Sequence, residues 1–277
     1  MGRDEFVALV KRRGAELYRE LPWRGIDDPY AVLVSEVMLQ QTQVARVEGY
    51  WGRWMEEFPD LGALASAETP RVLELWQGLG YNRRALALKR AAEECASQLG
   101  STLPATAEEL EKLPGIGPAT AAGIVSFAYQ RPSIYLETNV RSVFLHELFP
   151  GQSGVPDSEI IPYVADACPN DNPRSWYYAL LDYGAHLKSI VPNPSRRSQH
   201  HARQSKFEGS RREKRSFILK AALANPSGIP TADVENALDD FEQAYGREPL
   251  DHALFESLVN ELVDEGFFKL DGTLILP

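Results

Sequence analysis

The segment LPGIGPATA, residues 113–121, lies between two helical stretches and is followed closely by ETNVR at residues 137–141. Gly115 and Gly117 flank one apolar residue, a composition that favours a hairpin whose backbone N–H groups converge on a phosphate. Glycine is needed because a Cβ would obstruct both the tight turn and the close approach of a nucleic-acid strand. A Gly-x-Gly turn also serves as an ordinary helix C-cap, so the hairpin alone leaves both interpretations open. Glu137 would lie beside the bound strand, which points to chemistry on a nucleotide.

Formal charge is distributed unevenly along the 277 residues, whose total is −10 at pH 7. Residues 186–220 hold ten Lys and Arg against two Glu, whereas residues 221–277 hold two Lys and Arg against twelve Asp and Glu. A basic strip within an acidic chain is typical of a phosphate-contacting surface. We expect it to contact DNA phosphates through Lys188, Arg196, Arg197, Arg203, Lys206, Arg211, Arg212, Lys214 and Arg215. The same composition fits a flexible linker that becomes ordered on DNA.

Cysteine usage and hydropathy restrict the class of protein further. Cys95 and Cys168 are the two cysteines, and they match neither a metal-binding spacing nor a disulfide framework. No metal site is therefore expected. The sequence contains no run of 18 apolar residues and no signal-peptide pattern, so we expect no membrane contact. The expected location is a bacterial-type cytoplasm, in association with the nucleoid.

Apolar periodicity predicts an all-α domain over residues 1–190, a basic linker over 191–209 and a second small domain over 210–277. Helices of the first domain are expected over residues 31–50, 70–77, 83–99, 107–112, 119–128, 139–149, 158–167 and 173–188. Asp28 and Pro29 supply a start signal for the first of these helices. The second domain shows helical patterns over residues 215–224, 231–241 and 252–265.

The chain ends in a segment that alternates around Asp271 and Gly272, which predicts a β-hairpin wing. Three helices and a wing resemble a winged-helix domain. Domains of that kind often bind DNA, but this one is acidic. A packing role or a contact with another protein is therefore favoured over groove binding.

Three further motifs precede the hairpin in the chain. They are LPWR at residues 21–24, PYAVLVSEVMLQQTQV at residues 29–44 and WQGLGYNRRA at residues 76–85. Together with the hairpin they closely resemble the helix-hairpin-helix DNA glycosylases, and within them the MutY-type adenine glycosylases, over residues 20–190. The resemblance implies two helical lobes around a cleft. It implies a base excision repair enzyme that acts on double-stranded DNA containing a mismatch or a lesion.

Two carboxylates are the candidate catalytic residues. Glu36 lies within an apolar stretch, where desolvation would raise its pKa into the range of a general acid, and the resemblance implies that it protonates the departing base. Glu137 would stabilise the positive charge that develops on the sugar or activate the attacking water. Its position usually holds Asp in the family. A structural Glu36 and a Glu137 that only caps the following helix are the alternatives.

The resemblance assigns further residues to the base pocket and to the DNA surface. Candidates for the pocket are Arg24, Ala119 and Asn139. Alanine cannot form the Schiff base that lysine forms at this hairpin position in bifunctional members, so no lyase activity is expected. The candidate DNA contacts are Gln41, Thr42, Tyr81, Asn82, Gly115, Gly117, Thr120, Lys188, Arg196 and Arg197. Tyr81 matches the aromatic residue that wedges into the base stack, with a half-buried core tyrosine as the alternative, and Arg24 could equally form a structural pair.

Several departures from the family leave the target base open. Many members carry a four-cysteine iron–sulfur cluster after the catalytic domain, but no cysteine follows Cys168, so no cluster is expected. The last 70 residues are too short for a Nudix-like lesion-reading domain. Adenine opposite 8-oxoguanine or guanine is the first prediction for the substrate, with a mismatched thymine, uracil or modified base as the alternative. A non-catalytic lesion-binding protein stays open as well. The hairpin carbonyls are a candidate site for a monovalent cation.

Overall fold

A computed structural model describes residues 1–199, 201 and 205–277, so Arg203 of the predicted basic strip lies outside the described residues. The first domain contains α1 (Arg3–Leu17), α2 (Pro29–Leu39), α3 (Val44–Glu57), α4 (Leu61–Ser66), α5 (Thr69–Trp76), α6 (Arg83–Gln98), α7 (Ala107–Leu110), α8 (Pro118–Phe127), α9 (Thr138–Glu147), α10 (Asp157–Ala167) and α11 (Pro173–Ile190). The all-α prediction is confirmed. Among the described residues, every helix is too short or too polar to cross a bilayer.

The helices form two lobes that share one continuous hydrophobic core. Helices α2 to α8 pack together in one lobe, where Trp54 and Trp76 meet edge to face at 5.4 Å. Helices α1, α9, α10 and α11 form the other, where Phe6 packs on Phe144 with ring centroids 4.9 Å apart. Helices α1 and α11 approach very closely, since a Cβ at Gly14 would lie 2.2 Å from the Cβ of Ala179.

The helix predicted over residues 31–50 is wrong, because the chain breaks it into α2 and α3. Asp28 caps the start of α2 as expected, accepting a hydrogen bond from the backbone N–H of Tyr30. The helix stops at Leu39, and Gln41 adopts a left-handed φ of +54°. Arg84 donates to the carbonyls of Val37, Met38 and Gln40 at 2.8, 3.0 and 2.6 Å. These carbonyls therefore have a partner outside the helix, and the break presents Gln41 on an exposed turn.

The predicted hairpin is confirmed as a turn between α7 and α8. Gly115 has a φ of +75°, and a Cβ there would lie 2.5 Å from the Cβ of Ala87 on α6, so both the turn and the packing require glycine. Gly117 is extended and forms the N-cap of α8, whose first residue is Pro118. Both glycines are exposed.

Residues 191–199 pack against the first domain and do not form a free linker. A 3-10 turn, Pro194–Arg197, packs on α9, and Val155 and Ser198 form a parallel bridge. The guanidinium of Arg197 donates to the carbonyls of Leu145 and Phe149 near the end of α9. This side chain caps a helix, and its predicted DNA contact stays a prediction. Arg196 is exposed.

The C-terminal unit contains α12 (Arg211–Leu223), α13 (Thr231–Ala244) and α14 (His252–Asp264). Its antiparallel sheet has the order β1-β3-β2, formed by β1 (Ile229–Pro230), β2 (Lys269–Asp271) and β3 (Leu274–Leu276). The hairpin turns at Gly272, as the Asp-Gly pair predicts. Strand β1 has no signal in the sequence, because two residues are too few for a pattern. Winged-helix character stays a prediction.

Candidate active site

A cavity of about 720 Å³ lies between the two lobes. Its walls come from α2, the start of α8, the segment before α9, and α11. Polar lining residues include Glu36, Thr120, Tyr135, Glu137, Asn139 and Lys188. The two candidate carboxylates therefore face one cavity, although they are 101 positions apart in the chain.

Glu36 projects from α2 into the cavity and meets a tyrosine that the sequence analysis did not select. The hydroxyl of Tyr135 donates to Oε2 of Glu36 at 3.1 Å. Helix α8 approaches so closely that a Cβ at Gly123 would lie 2.5 Å from the same oxygen. Burial raises the pKa of Glu36 to about 8, the hydrogen bond from Tyr135 opposes the rise, and the charge of Glu137 adds to it. The pair is therefore suited to hold a proton at neutral pH.

Glu137 is the N-cap of α9, as the structural alternative for this residue predicts. Its carboxylate accepts from the backbone N–H groups of Asn139 and Val140, the latter at 2.9 Å. Burial raises its pKa, while those N–H groups and the charges of Lys188 and Arg141 oppose the rise. These donors stabilise the ionised form of Glu137. Glu36 has one such donor, the hydroxyl of Tyr135. The two carboxylates therefore differ in environment: N–H donors and positive charges support the ionised form of Glu137, whereas burial favours the protonated form of Glu36.

Lys188 lies inside the site, although the sequence analysis placed it on a DNA-contacting strip. Its Nζ donates to Oδ1 of Asn139 at 2.7 Å, and burial lowers its pKa. The amide nitrogen of Asn139 in turn lies 3.4 Å from Oε2 of Glu137. Lys188 is therefore half-buried and connected to the carboxylate through Asn139.

Arg24 lines the cavity, but its charged group is engaged elsewhere. Its side chain is 3% exposed and forms an ion pair with Asp182, whose side chain is fully buried. The same guanidinium lies 4.5 Å from the ring centroid of Tyr178. A buried pair of this kind fixes α11 against the segment before α2. The structural-pair alternative for Arg24 thus has direct support.

Arg84 connects the turn after α2, which lines the cavity, to the turn before α6, and sequence reasoning missed this role. Besides the carbonyls after α2, it donates to Oγ1 of Thr42 at 3.2 Å and to the carbonyl of Gly80 at 2.9 Å. The turns present Gln41 and Tyr81, both exposed and both left-handed, with φ values of +54° and +48°. Strained exposed residues of this kind often mark functional positions. Arg84 lies within the motif at residues 76–85, but its role depends on contacts with the turn after α2, which the motif does not reveal.

Three other predicted site residues are Ala119, Asn82 and Thr120. Ala119 lines the cavity, and Asn82 is half-buried at the start of α6. Thr120 is 6% exposed and accepts a hydrogen bond from Gln40 at 3.0 Å. Its hydroxyl joins α8 to the end of α2, and its predicted DNA contact stays a prediction.

The cysteines do not fit a four-thiolate cluster. Cys95 is buried in α6 of one lobe, whereas Cys168 follows α10 in the other. Within residues 1–199, 201 and 205–277, no three His, Cys, Asp or Glu side chains are grouped to hold a metal ion.

Comparison with known proteins shows where the chain belongs. Residues 34–153 match the model of the HhH-GPD superfamily base excision DNA repair proteins. An adenine DNA glycosylase of Mycobacterium tuberculosis is 32% identical over 284 residues, covering 92% of this chain and 90% of that protein. An adenine DNA glycosylase of Mycolicibacterium smegmatis is 38% identical, covering 60% and 58%. The chain covers only 24% of the human adenine DNA glycosylase, with 44% identity.

Solved structures give the same fold at lower identity. A thermostable thymine-DNA glycosylase superposes with a TM-score of 0.61 at 20% identity, over 69% of this chain and 88% of that one. A 3-methyladenine DNA glycosylase of H. pylori gives 0.54 at 17% identity, over 69% and 98%. The chain therefore belongs to the HhH-GPD superfamily and, within it, to the family of the adenine DNA glycosylases.

Proposed function

We propose that this protein is a monofunctional DNA glycosylase that removes adenine opposite 8-oxoguanine or guanine in base excision repair. The observation that carries the proposal is the pair of carboxylates in one interlobe cavity, with Glu36 suited to carry a proton and Glu137 suited to stay ionised. The relatives named adenine DNA glycosylase support the choice of base.

The reaction begins when the base leaves the stack and enters the cavity. Glu36 donates its proton to a ring nitrogen of adenine, so the electron pair of the breaking glycosidic bond passes to a neutral leaving group. The ionised Glu137 stabilises the positive charge on the sugar. Water then adds to C1′ and releases a proton, which leaves an abasic site and free adenine.

The absence of a lyase step is also part of the proposal. Ala119 presents no amine where it lines the cavity. The amine of Lys188 is hydrogen-bonded to Asn139, which holds it away from the role of a nucleophile. Water is therefore the nucleophile, and strand cleavage requires a later chemical or enzymatic step.

We also propose that the enzyme works without an iron–sulfur cluster. The two cysteines lie in different lobes and supply at most two thiolates. The segment after α11 is held by contacts of its own, because Arg197 caps α9 and Val155 pairs with Ser198. These contacts provide the rigidity for which a cluster would otherwise be needed.

Double-stranded DNA is the proposed partner, and the exposed turns at the cavity mouth define its contact surface. Gln41 and Tyr81 enter the duplex where the base has left. The exposed N–H groups around Gly115 and Gly117 bind a phosphate, and the exposed Arg196 adds charge. The hairpin carbonyls are the proposed site of a monovalent cation.

The test is base release from a panel of labelled duplexes, read as strand cleavage with and without hot alkali. The panel holds adenine opposite 8-oxoguanine and guanine, and thymine, uracil, hypoxanthine and alkylated bases. We expect cleavage at adenine that depends entirely on alkali. Cleavage without alkali would contradict monofunctional chemistry, and release of another base alone would contradict the proposed substrate.

A further inference from the structure

The side chain of Tyr81 contacts two arginines, one from the first domain and one from the C-terminal domain. The guanidinium of Arg84, on α6 behind it, is 5.6 Å from the ring centroid. The guanidinium of Arg212, on α12 of the C-terminal domain, is 5.3 Å from the same centroid, and its NH1 donates to the Tyr81 hydroxyl at 2.8 Å. A residue at the tip of a turn is thus oriented by a domain 131 positions further along the chain.

Arg212 differs from the arginines next to it in the same helix. Its other acceptors are the carbonyl and hydroxyl of Ser205, at 2.7 and 3.2 Å, and its guanidinium lies 5.9 Å from the ring of Phe207. These acceptors are neutral. Arg211 instead pairs with Glu261, and Arg215 pairs with both Glu261 and Glu265. Arg212 therefore brings a positive charge to Tyr81, whereas its neighbours hold the C-terminal domain together.

The domain that supplies Arg212 is fixed to the lobe that carries Tyr81. Glu265 accepts from Arg83 through both carboxylate oxygens, and its carbonyl accepts from Arg90 at 2.6 Å. Both arginines lie on α6, the helix that begins just after Tyr81. Glu265 of the C-terminal domain therefore faces the first domain, and this contact sets the position of α12 relative to the Tyr81 turn.

An exposed tyrosine on a turn would otherwise lose rotamer freedom when it enters a base stack. Tyr81 is 37% exposed and already has the left-handed backbone of a tight turn. A hydrogen bond to its hydroxyl and a cation against its face restrict the remaining side-chain freedom before DNA arrives. Preorganisation of this kind lowers the cost of insertion without requiring a new contact with the substrate.

We propose that Arg212 is a positioning residue that holds Tyr81 ready for insertion into the duplex, which makes the C-terminal domain part of the DNA-opening apparatus. The inference rests on the proposed function. Its partner is the base stack of a DNA duplex beside the flipped nucleotide. The acidic C-terminal domain thus acts through the first domain rather than by binding DNA in a groove.

The experiment compares Arg212→Ala and Arg212→Lys with Arg211→Ala and Tyr81→Ala in the full chain. A duplex with adenine opposite 8-oxoguanine carries 2-aminopurine beside the 8-oxoguanine, where fluorescence reports unstacking. Single-turnover base release and the Kd are measured on the same duplex, and thermal melting shows that each variant folds.

We expect Arg212→Ala to lower both the rate and the fluorescence change about 10-fold, with a Kd within about 3-fold of the wild type. Arg212→Lys should restore part of both signals, and Arg211→Ala should leave both unchanged. Adding Arg212→Ala to Tyr81→Ala should cause no further loss. An additive double variant, or Arg212→Ala with wild-type fluorescence and rate, would overturn the proposal. The wild-type rate on the same duplex separates this outcome from a failure of the proposed function, in which the wild type itself would release no adenine.

Discussion

The hydroxyl of Tyr135, in the segment before α9, donates to Oε2 of Glu36, on helix α2, at 3.1 Å. The tyrosine is itself fixed: its backbone N–H donates to the hydroxyl of Tyr177 at 3.2 Å, and its ring meets Phe127 edge to face at 5.2 Å. Burial raises its pKa well above the usual value, so it stays a donor. Oε2 of Glu36 is thereby held in place.

Tyr135→Phe should move the alkaline limb of base release to higher pH. The hydrogen bond from Tyr135 lowers the pKa of Glu36, so its loss allows burial to raise that pKa above about 8. The acid then stays protonated to a higher pH, and the decline of activity begins later. Single-turnover rates from pH 6 to 10 measure the limb, with Tyr163→Phe, on the exposed face of α10, as the control. A limb that moves to lower pH would refute the assignment.

Gly123→Ala should slow base release about 100-fold while leaving DNA affinity nearly unchanged. The new Cβ would lie 2.5 Å from Oε2 of Glu36 and 3.0 Å from the ring of Tyr135, so the acid must shift. Gly52→Ala, where a Cβ meets nothing within 4 Å, is the matched helix control. Rates and Kd values for both variants measure the effect. Full activity of Gly123→Ala would show that the position of this carboxylate does not limit the reaction.

Lys188→Met should lower the rate about 10-fold or more and move the acidic limb to higher pH. The amine lowers the pKa of Glu137, so its removal makes the carboxylate protonate more readily. The exposed Arg196→Ala should instead weaken binding and reduce its salt dependence. The pH profile and the slope of log Kd against log salt distinguish the two residues. If Lys188→Met changes only the salt slope, the amine contacts phosphate and not the catalytic group.

Arg84→Lys should cost both activity and stability, because lysine cannot bond the two turns together. The guanidinium reaches the carbonyls of Gln40 and Gly80 and the hydroxyl of Thr42, a geometry that requires its fork. We expect base release to fall about 10-fold and Tm to fall by roughly 5 °C. Arg71→Lys, which changes an exposed ion pair, is the control. Unchanged activity with a lowered Tm would reduce Arg84 to a purely structural residue.

The sequence predicts most helices because their apolar periodicity, caps and glycine turns are local signals. It does not predict the break after Leu39, since the cause is Arg84, which comes from a distant helix. Arg197 and Thr120 are residue types that suit DNA contacts. In the fold, Arg197 donates to backbone carbonyls near the end of α9, and the hydroxyl of the buried Thr120 accepts from the side chain of Gln40. Glu36 and Glu137 carry enough signal to be selected, whereas Tyr135 does not. A tyrosine becomes part of a site only through the residue that it faces.

The central claim is that Glu36 supplies the proton for base release, and Glu36→Gln tests it most directly. The amide keeps the size of the side chain and an oxygen for the hydrogen bond from Tyr135. Single-turnover release of adenine opposite 8-oxoguanine and the Kd for the same duplex are measured at pH 7. The account predicts a rate at least about 1,000-fold below the wild type with a Kd within about 3-fold. A variant that binds the duplex and releases adenine at the wild-type rate would contradict the account.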